Sequence, residues 1–267
     1  MSKIEVVEYT INNNKIPKEF NDYIIVQISD LHNKSFGENN KTLLDMIINN
    51  KPNVIFITGD LIDGENKNFN VALDLLKELS KNYKVYYITG NHEQKALIKK
   101  YKDLYEKYFK ELENIDAVHL DNEMITLQEE NSHINVYGLT IPFKCYKYLF
   151  DKDKNLDLEE KYIENKLGTL NNNEYNILLA HTPFYFEEYA KWGADLVLAG
   201  HVHGGIIRLP YFGGLLSPNR HFFPKYDLGE YKINDSTMIV TKGLGGSKVL
   251  IRVNCKPEIV KITLKSE

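Results

Sequence analysis

Five short apolar runs in this chain are each followed by residues whose side chains can bind a metal ion, and this repetition constrains the fold most strongly. The runs are rich in β-branched residues and have no polar face. Strands of this kind are typical of α/β proteins, in which both faces of a sheet are covered. Side chains that follow parallel strands meet at the carboxyl edge of the sheet, where such folds form their sites. The residues concerned are Asp30 and His32, Asp60, Asn91, His181, and His201 with His203.

Helical patterns alternate with the apolar runs, and the tail returns to β-structure. Three short β-like segments within 117–140 predict an antiparallel meander. Because no linker rich in Pro, Gly or Ser divides the chain, we expect a single domain spanning 1–267, with two β-sheets sandwiched between helices. The predicted strands are 23–29, 53–58, 84–89, 175–181 and 194–201, and the predicted helices are 40–50, 71–80, 94–112 and 156–170.

Each polar strand ending also has a simpler explanation when it is taken alone. An aspartate can cap a loop, Asn91 can serve a turn, and His181 can be a hydrogen-bonded core residue. The pair His201 and His203 could line one face of a strand and contact solvent. The flanking glycines instead allow a sharp bend and a close approach of another group. Five such endings in one chain favour a shared metal site.

The composition narrows the class of protein. The chain has 267 residues, 43% hydrophobic and 26% charged, which is typical of a globular protein with a sizeable core. Its net charge is −4, so the sequence has no excess of basic residues of the kind that proteins use to bind nucleic acid. Two cysteines are too few for a disulfide framework, and no apolar run reaches the ~20 residues that span a bilayer. We expect a cytoplasmic protein, or a membrane-associated or exported one if a leader has been removed.

The order of motifs D-x-H, G-D-x-x-D, G-N-H-E, H and G-H-x-H resembles the calcineurin-like metallophosphoesterases over residues 24 to about 205. The stretch 200–226 is similar to the bacterial branch called YkuE-like or YaeI-like, although Ile206 stands where many members carry Gln. Many members of that branch also carry an N-terminal membrane segment or export signal, and the residues at the start of this sequence are not expected to form one. The resemblance implies a four-layer sandwich of two mixed β-sheets flanked by helices.

The resemblance also implies a site for two divalent ions, drawn from Mn, Fe, Zn, Ni or Co. Carboxylate, imidazole and amide ligands suit these metals. Two dications with two carboxylates and a bridging hydroxide leave about one positive charge for a phosphate oxygen, and the hydroxide would attack phosphorus in line. Asp60 would bridge the two ions. The implied ligands are Asp30, His32 and His203 for one ion, and Asn91, His181 and His201 for the other.

His92 follows Asn91 directly and is the candidate general acid, because a leaving alkoxide needs a proton. By the resemblance, Asp63 pairs with His92 and holds it as imidazolium. Asp63 could equally be a helix N-cap, and both roles are compatible. Glu93 is interpreted as a first-turn acid that favours the helix dipole.

The aromatic, Pro- and Gly-rich stretch 208–226 has two interpretations. It could grip a lipid-like leaving group or contact a membrane surface, with Arg208 or Arg220 near the phosphate. It could also be a loop whose aromatic residues pack back onto the domain. We expect no metal role for His119, His133 and His221.

These features favour a hydrolase that cleaves a phosphodiester or phosphomonoester of a small or lipid-like molecule. A nuclease would share the catalytic core, but the acidic balance argues against nucleic acid as a substrate or partner. A protein phosphatase would share it too. A non-catalytic scaffold would be expected to lack some of the ligands or His92, and all are present.

Overall fold

The computed structural model describes residues 3–65, 68–98, 102–146, 158–159, 161–205, 208–209, 213–214, 223–246 and 255–267. The strands are β1 Glu5–Asn13, β2 Ile24–Ile28, β3 Val54–Ile57, β4 Lys84–Tyr87, β5 Val118–His119, β6 Glu123–Glu129, β7 Ser132–Leu139, β8 Asn176–Ala180, β9 Leu196–Ala199, β10 Arg208–Leu209, β11 Gly213–Gly214, β12 Gly229–Ile233, β13 Ser236–Val240 and β14 Glu258–Ser266. The α-helices are α1 Lys41–Asn49, α2 Asn70–Ser80, α3 Asn91–Ile98, α4 Lys102–Leu112, α5 Tyr162–Leu167 and α6 Phe186–Trp192.

Two mixed sheets form the centre of the fold. In the first, the strand order is β1-β14-β2-β3-β4-β5, and β2 to β5 run parallel. In the second, the order is β12-β13-β9-β8-β7-β6, and β13, β9, β8 and β7 run parallel. Antiparallel pairing joins each parallel block to its neighbours, between β14 and β2 in the first sheet, and between β6 and β7 and between β12 and β13 in the second. The parallel blocks bring several strand ends to a common edge.

Alternation along the strands separates three hydrophobic layers. On β3, Ile55 and Ile57 pack against α1 and α2, whereas Val54 and Phe56 face the second sheet. On β9, Leu196 and Leu198 face the first sheet, and Val197 packs on the opposite side with α5 and α6. A strand buried on both faces must be apolar at every position, which explains the continuous runs. The result is the predicted four-layer sandwich.

A polar contact also joins the two sheets beside the strand ends. The side chain of Gln27 on β2 is buried, and its Nε2 donates to the carbonyl oxygen of Ala199 on β9 at 3.0 Å. The same Nε2 of Gln27 also donates to the hydroxyl oxygen of Thr58 at 3.0 Å. Buried amides that are bonded in this way fix the position of one strand relative to another.

Most predicted elements are confirmed within about two residues at each end, and three predictions need correction. The segment 117–140 is not a meander, because β5 pairs in parallel with β4 in the first sheet, and only β6 and β7 form a hairpin. The helix predicted at 94–112 begins earlier, at Asn91, and is described as α3 and α4. The helix predicted at 156–170 is shorter, because α5 spans only Tyr162–Leu167 and the described residues 158–159 and 168–170 are not helical.

Candidate metal centre

The strand ends bring the predicted ligands together between the two sheets. Three strands of the first sheet supply the carboxylates and the amide, since Asp30 follows β2, Asp60 follows β3 and Asn91 follows β4. The first sheet also supplies the imidazole of His32, after β2. Two strands of the second sheet supply the other imidazoles, from His181 after β8 and the histidine pair after β9. All seven side chains are buried or nearly so.

One group of ligand atoms lies around Asp30. Its Oδ1 is 3.6 Å from Nε2 of His203 and 3.8 Å from Nε2 of His32. The two imidazole nitrogens are themselves only 3.3 Å apart. These three residues each present one atom within 4.8 Å of the others, a spacing that could hold a single ion.

A second group lies around Asp60, His181 and His201, again with ligand atoms within 4.8 Å. Nε2 of His181 is 3.2 Å from Oδ2 of Asp60 and 3.2 Å from Oδ1 of Asn91. Oδ2 of Asp60 is also 3.8 Å from Nε2 of His32, which belongs to the first group. Asp60 therefore faces both groups, as a bridging carboxylate must.

Each buried aspartate uses one oxygen to hold a loop and leaves the other for the site. Oδ2 of Asp30 accepts a hydrogen bond from the backbone N–H of His201 at 3.0 Å. Oδ1 of Asp60 accepts from the backbone N–H of His92 at 2.8 Å. In the part of the chain that the structure describes, Oδ1 of Asp30 and Nδ1 of His32 have no hydrogen-bond partner. An orphaned buried carboxylate oxygen is costly, and a bound cation would satisfy it.

Burial also sets the protonation of the first group. It raises the pKa of Asp30 to about 6 and lowers the pKa of His32 to about 3. His32 is therefore neutral at physiological pH, which is the form that binds a metal. The residues present fit divalent ions of the borderline class, because they offer oxygen and nitrogen atoms without thiolates.

The loops that carry the ligands have unusual backbone geometry. Asp30, His32, Asp60, His201 and His203 all have positive φ, between 50° and 70°. Non-glycine residues rarely adopt this conformation, which costs about 1–3 kcal/mol each and is concentrated at functional sites. Tight left-handed turns immediately after the strands allow neighbouring side chains to converge on one point.

Two glycines are required by close approach rather than by flexibility alone. A Cβ at Gly200 would collide with the side chains of Ser29 and Asp30. A Cβ at Gly90 would collide with the carboxylate of Asp60. This explains why a glycine precedes the histidine pair and why G-N-H follows β4.

His92 and Asp63 lie beside the first group. Nδ1 of His92 is 3.3 Å from Oδ1 of Asp63 and 3.2 Å from the backbone nitrogen of Gly64. The ring of His92 is 4.5 Å from that of His32 between centroids, in an edge-on arrangement. Burial works to lower the pKa of His92, but the carboxylates of Asp60 and Asp63 outweigh it and raise the pKa above its ordinary value. The position suits a proton donor at the rim of the site.

Glu93 does more than the sequence suggested. Its carboxylate is buried and accepts hydrogen bonds from the backbone N–H groups of Asp60, Ile62 and Gly90, at 3.0, 3.1 and 2.8 Å. Burial raises its pKa to about 7. It lies in the first turn of α3, as predicted, and it also ties the Asp60 loop to the Asn91 loop. The motif G-N-H-E could have predicted this role of Glu93, because a carboxylate at this spacing faces the preceding strand ends.

Further residues around the site were missed by motif analysis. The ring of Tyr146 lies 5.1 Å from that of His201. After β13, the backbone N–H of Leu244 donates to the carbonyl of Ser29 at 3.0 Å, and the thiol of Cys255 lies 3.1 Å from the carbonyl oxygen of His203. The glycine-rich sequence after β13 could have identified this third strand end of the second sheet, whereas Tyr146 had no signal.

Other predicted residues lie elsewhere. His119 is 2.8 Å from the hydroxyl of Thr89 and stacks on Tyr87, and His133 lies 3.6 Å from Glu174 at the surface. Ile206, Arg220 and His221, the side chain of Arg208 and much of 208–226 lie outside the described residues.

The sequence profile of the calcineurin-like phosphoesterase family matches residues 23–205. The chain belongs to this family of metal-dependent hydrolases and is a metallophosphoesterase. It is 29% identical over 267 residues to the uncharacterised metallophosphoesterase YkuE of Bacillus subtilis, covering 98% of this chain and 86% of the relative. It is 26% identical over 271 residues to an uncharacterised metallophosphoesterase of Aquifex aeolicus, covering 99% and 93%. The predicted bacterial branch is confirmed.

Among solved structures, the phosphopantetheinyl hydrolase of Mycobacterium tuberculosis aligns with a TM-score of 0.49 at 10% identity, covering 83% of this chain and 89% of that one. The helices that the structure describes are all too short or too polar to cross a bilayer.

Proposed function

We propose that this chain, as a single domain, hydrolyses a phosphomonoester or phosphodiester at a centre of two divalent metal ions. The observation that carries the proposal is the position of Asp60, whose Oδ2 faces His181 at 3.2 Å and His32 at 3.8 Å. One carboxylate oxygen shared by two clusters of imidazoles suits a pair of adjacent ions.

Each of the two groups of ligand atoms, one around Asp30 and one around Asp60, would hold one ion. Asp30, His32 and His203 would hold one ion. Asp60, His181 and His201 would hold the other, with Asn91 beside His181 and with Asp60 reaching both ions. When bound, such ions supply positive charge to the phosphoryl oxygens and lower the pKa of coordinated water.

His92 donates a proton to the leaving oxygen in this proposal. Asp63 lies against Nδ1, orients the ring and favours its charged form, which leaves Nε2 to carry the transferable proton. The hydroxyl of Tyr105 donates to the backbone carbonyl of Asp63 at 2.9 Å and so fixes the loop that holds the ring. The backbone N–H of His92 is bonded to Asp60, which couples the proton donor to the bridging carboxylate.

The proposed substrate is a small or lipid-like phosphoester, gripped by the stretch 208–226, which would also supply any contact with a membrane surface. The net charge of −4 disfavours nucleic acid. Neither cysteine is part of a disulfide, which suits a cytoplasmic location.

A hydrolysis screen tests the proposal. Metal-free protein is reconstituted separately with Mn²⁺, Zn²⁺, Ni²⁺ and Fe²⁺ and assayed on alkyl and nitrophenyl mono- and diesters. Asp60→Asn is the control for contaminating activity, because it removes the shared carboxylate and keeps the shape of the side chain. We expect metal-dependent cleavage by the parent protein that Asp60→Asn lacks. Equal rates for the two proteins under every condition would contradict the proposal.

A further inference from the structure

Tyr146 lies against the half of the site that is opposite His92. It follows the turn Phe143–Cys145 after β7 and is only 3% exposed. Its ring meets that of His201 edge-on at 5.1 Å between centroids and lies 6.0 Å from that of His181. The backbone beside it is fixed, because the hydroxyl of Tyr185 donates to the carbonyl of Cys145 at 2.7 Å.

The hydroxyl of Tyr146 is buried and, among the residues that the structure describes, has no hydrogen-bond partner. A buried hydroxyl without a partner destabilises a fold, and each such group needs an explanation. The hydroxyls of Tyr108 and Tyr175 share this property. Tyr108 packs among Phe69 and Phe109, and Tyr175 precedes β8 at the end away from His181. Of these three tyrosines, Tyr146 is the one whose ring contacts the proposed ligands in the described structure.

A bound phosphoryl group would need a donor on this side of the site. Imidazoles and carboxylates that coordinate ions offer their lone pairs to the metal and not protons to the substrate. His92 lies beside His32, in the first cluster, whereas Tyr146 lies beside His201, in the second. A phenol keeps its proton at neutral pH and is a hydrogen-bond donor there.

We propose that Tyr146 is a further catalytic residue, whose hydroxyl donates a hydrogen bond to a non-bridging oxygen of the phosphoryl group held beside His181 and His201. The inference rests on the proposed phosphoester hydrolysis and names a second recognition element for that site.

The test compares Tyr146→Phe with Tyr175→Phe, which removes an equally buried and equally unpartnered hydroxyl at the other end of β8. Inorganic phosphate, the product, is titrated calorimetrically into each metal-loaded protein. Loss of one hydrogen bond to a charged acceptor should weaken phosphate binding about 10- to 10²-fold in Tyr146→Phe and leave Tyr175→Phe unchanged. The turnover number on an alkyl ester should fall about 10²-fold in Tyr146→Phe only.

Two further readouts separate this role from a structural one. Metal content should equal that of the parent protein in both variants, and the Tm of the metal-free protein should be unchanged or raised, because an unsatisfied group has been removed. Parent-like phosphate affinity in Tyr146→Phe would overturn the proposal. Loss of metal, a lowered Tm or failure to fold would overturn it too, by showing that the hydroxyl serves the fold. A parent protein that cleaves no ester would refute the hydrolase proposal instead, and its phosphate titration would still distinguish the two variants.

Discussion

Replacement of His92 by Asn should reduce catalysis in proportion to how much the leaving group needs a proton. An alkyl alcohol leaves poorly as an alkoxide, whereas nitrophenolate leaves readily as an anion. A positioned general acid contributes about 10²–10⁴-fold. Loss of His92 should therefore lower kcat/KM on an alkyl ester by that factor, equivalent to about 2.7–5.4 kcal/mol of transition-state stabilisation. The loss on the nitrophenyl ester should be much smaller.

The structure explains why this substitution should leave the rest of the site intact. The contact of His92 with Asp60 is made by its backbone N–H, which Asn retains. The side-chain contact with Asp63 is at the rim, where Nδ1 lies 3.3 Å from the carboxylate. Asp63→Asn should show the same dependence on the leaving group in milder form, because it removes only the charge that orients and stabilises the imidazolium.

The assay measures kcat/KM for an alkyl and a nitrophenyl ester with the parent protein and both variants, together with metal content by elemental analysis. His92 also lies within ligand distance of His32 and Asp60, and so the metal content is decisive. If His92→Asn loses metal, His92 is a ligand and the assignment is wrong. If it keeps metal and slows both esters equally, the ring stabilises the phosphoryl group and another residue protonates the leaving oxygen.

Asp60→Asn should reduce metal content more than Asn91→Ala, because it removes the shared oxygen and a negative charge; equal metal content in the two variants would refute the bridging role. Glu93→Gln should lower the Tm by several degrees, because an amide cannot accept hydrogen bonds from all three backbone N–H groups. At least one of these buried donors then has no acceptor, which costs about 1–3 kcal/mol of stability. The exposed Glu78→Gln is its control, and equal Tm values would show that the three bonds contribute little. Trimming the aromatic tip of 208–226 should change the ranking of substrates while a small activated ester is still cleaved; equal loss on every substrate would indicate a structural role.

The fold and most of the site follow from the sequence because both depend on local patterns. Continuous apolar runs mark strands that are covered on both faces, and parallel pairing then places the residues that follow them at one edge. This is why the strand pattern alone is enough to group Asp30, Asp60 and Asn91, which follow strands of the first sheet. His181 follows a strand of the second sheet, and its approach to them depends on how the two sheets pack. The same logic fails at β5, since two residues of strand carry no information about which sheet they join.

The rest of the surroundings depends on contacts between residues that are distant in sequence. Glu93 is recognisable as a first-turn acid, but its three backbone donors belong to loops that only the fold brings together. Tyr146 lies in a turn with no periodicity or motif. Gly243 has a φ of 65° and packs against Asp30, although β13 is far from β2 in sequence. The identity of such residues depends on the contacts that the fold makes around the site, and not on the secondary structure in which each residue lies.

The number of metal ions per chain tests the central claim most directly. The protein is stripped with a chelator, reconstituted with excess Mn²⁺ or Zn²⁺, freed of unbound metal and measured by elemental analysis against protein concentration. Seven converging ligands, with Asp60 shared between two clusters, predict a saturating value close to two ions per chain. A saturating value near one, or near zero, would contradict the dinuclear centre.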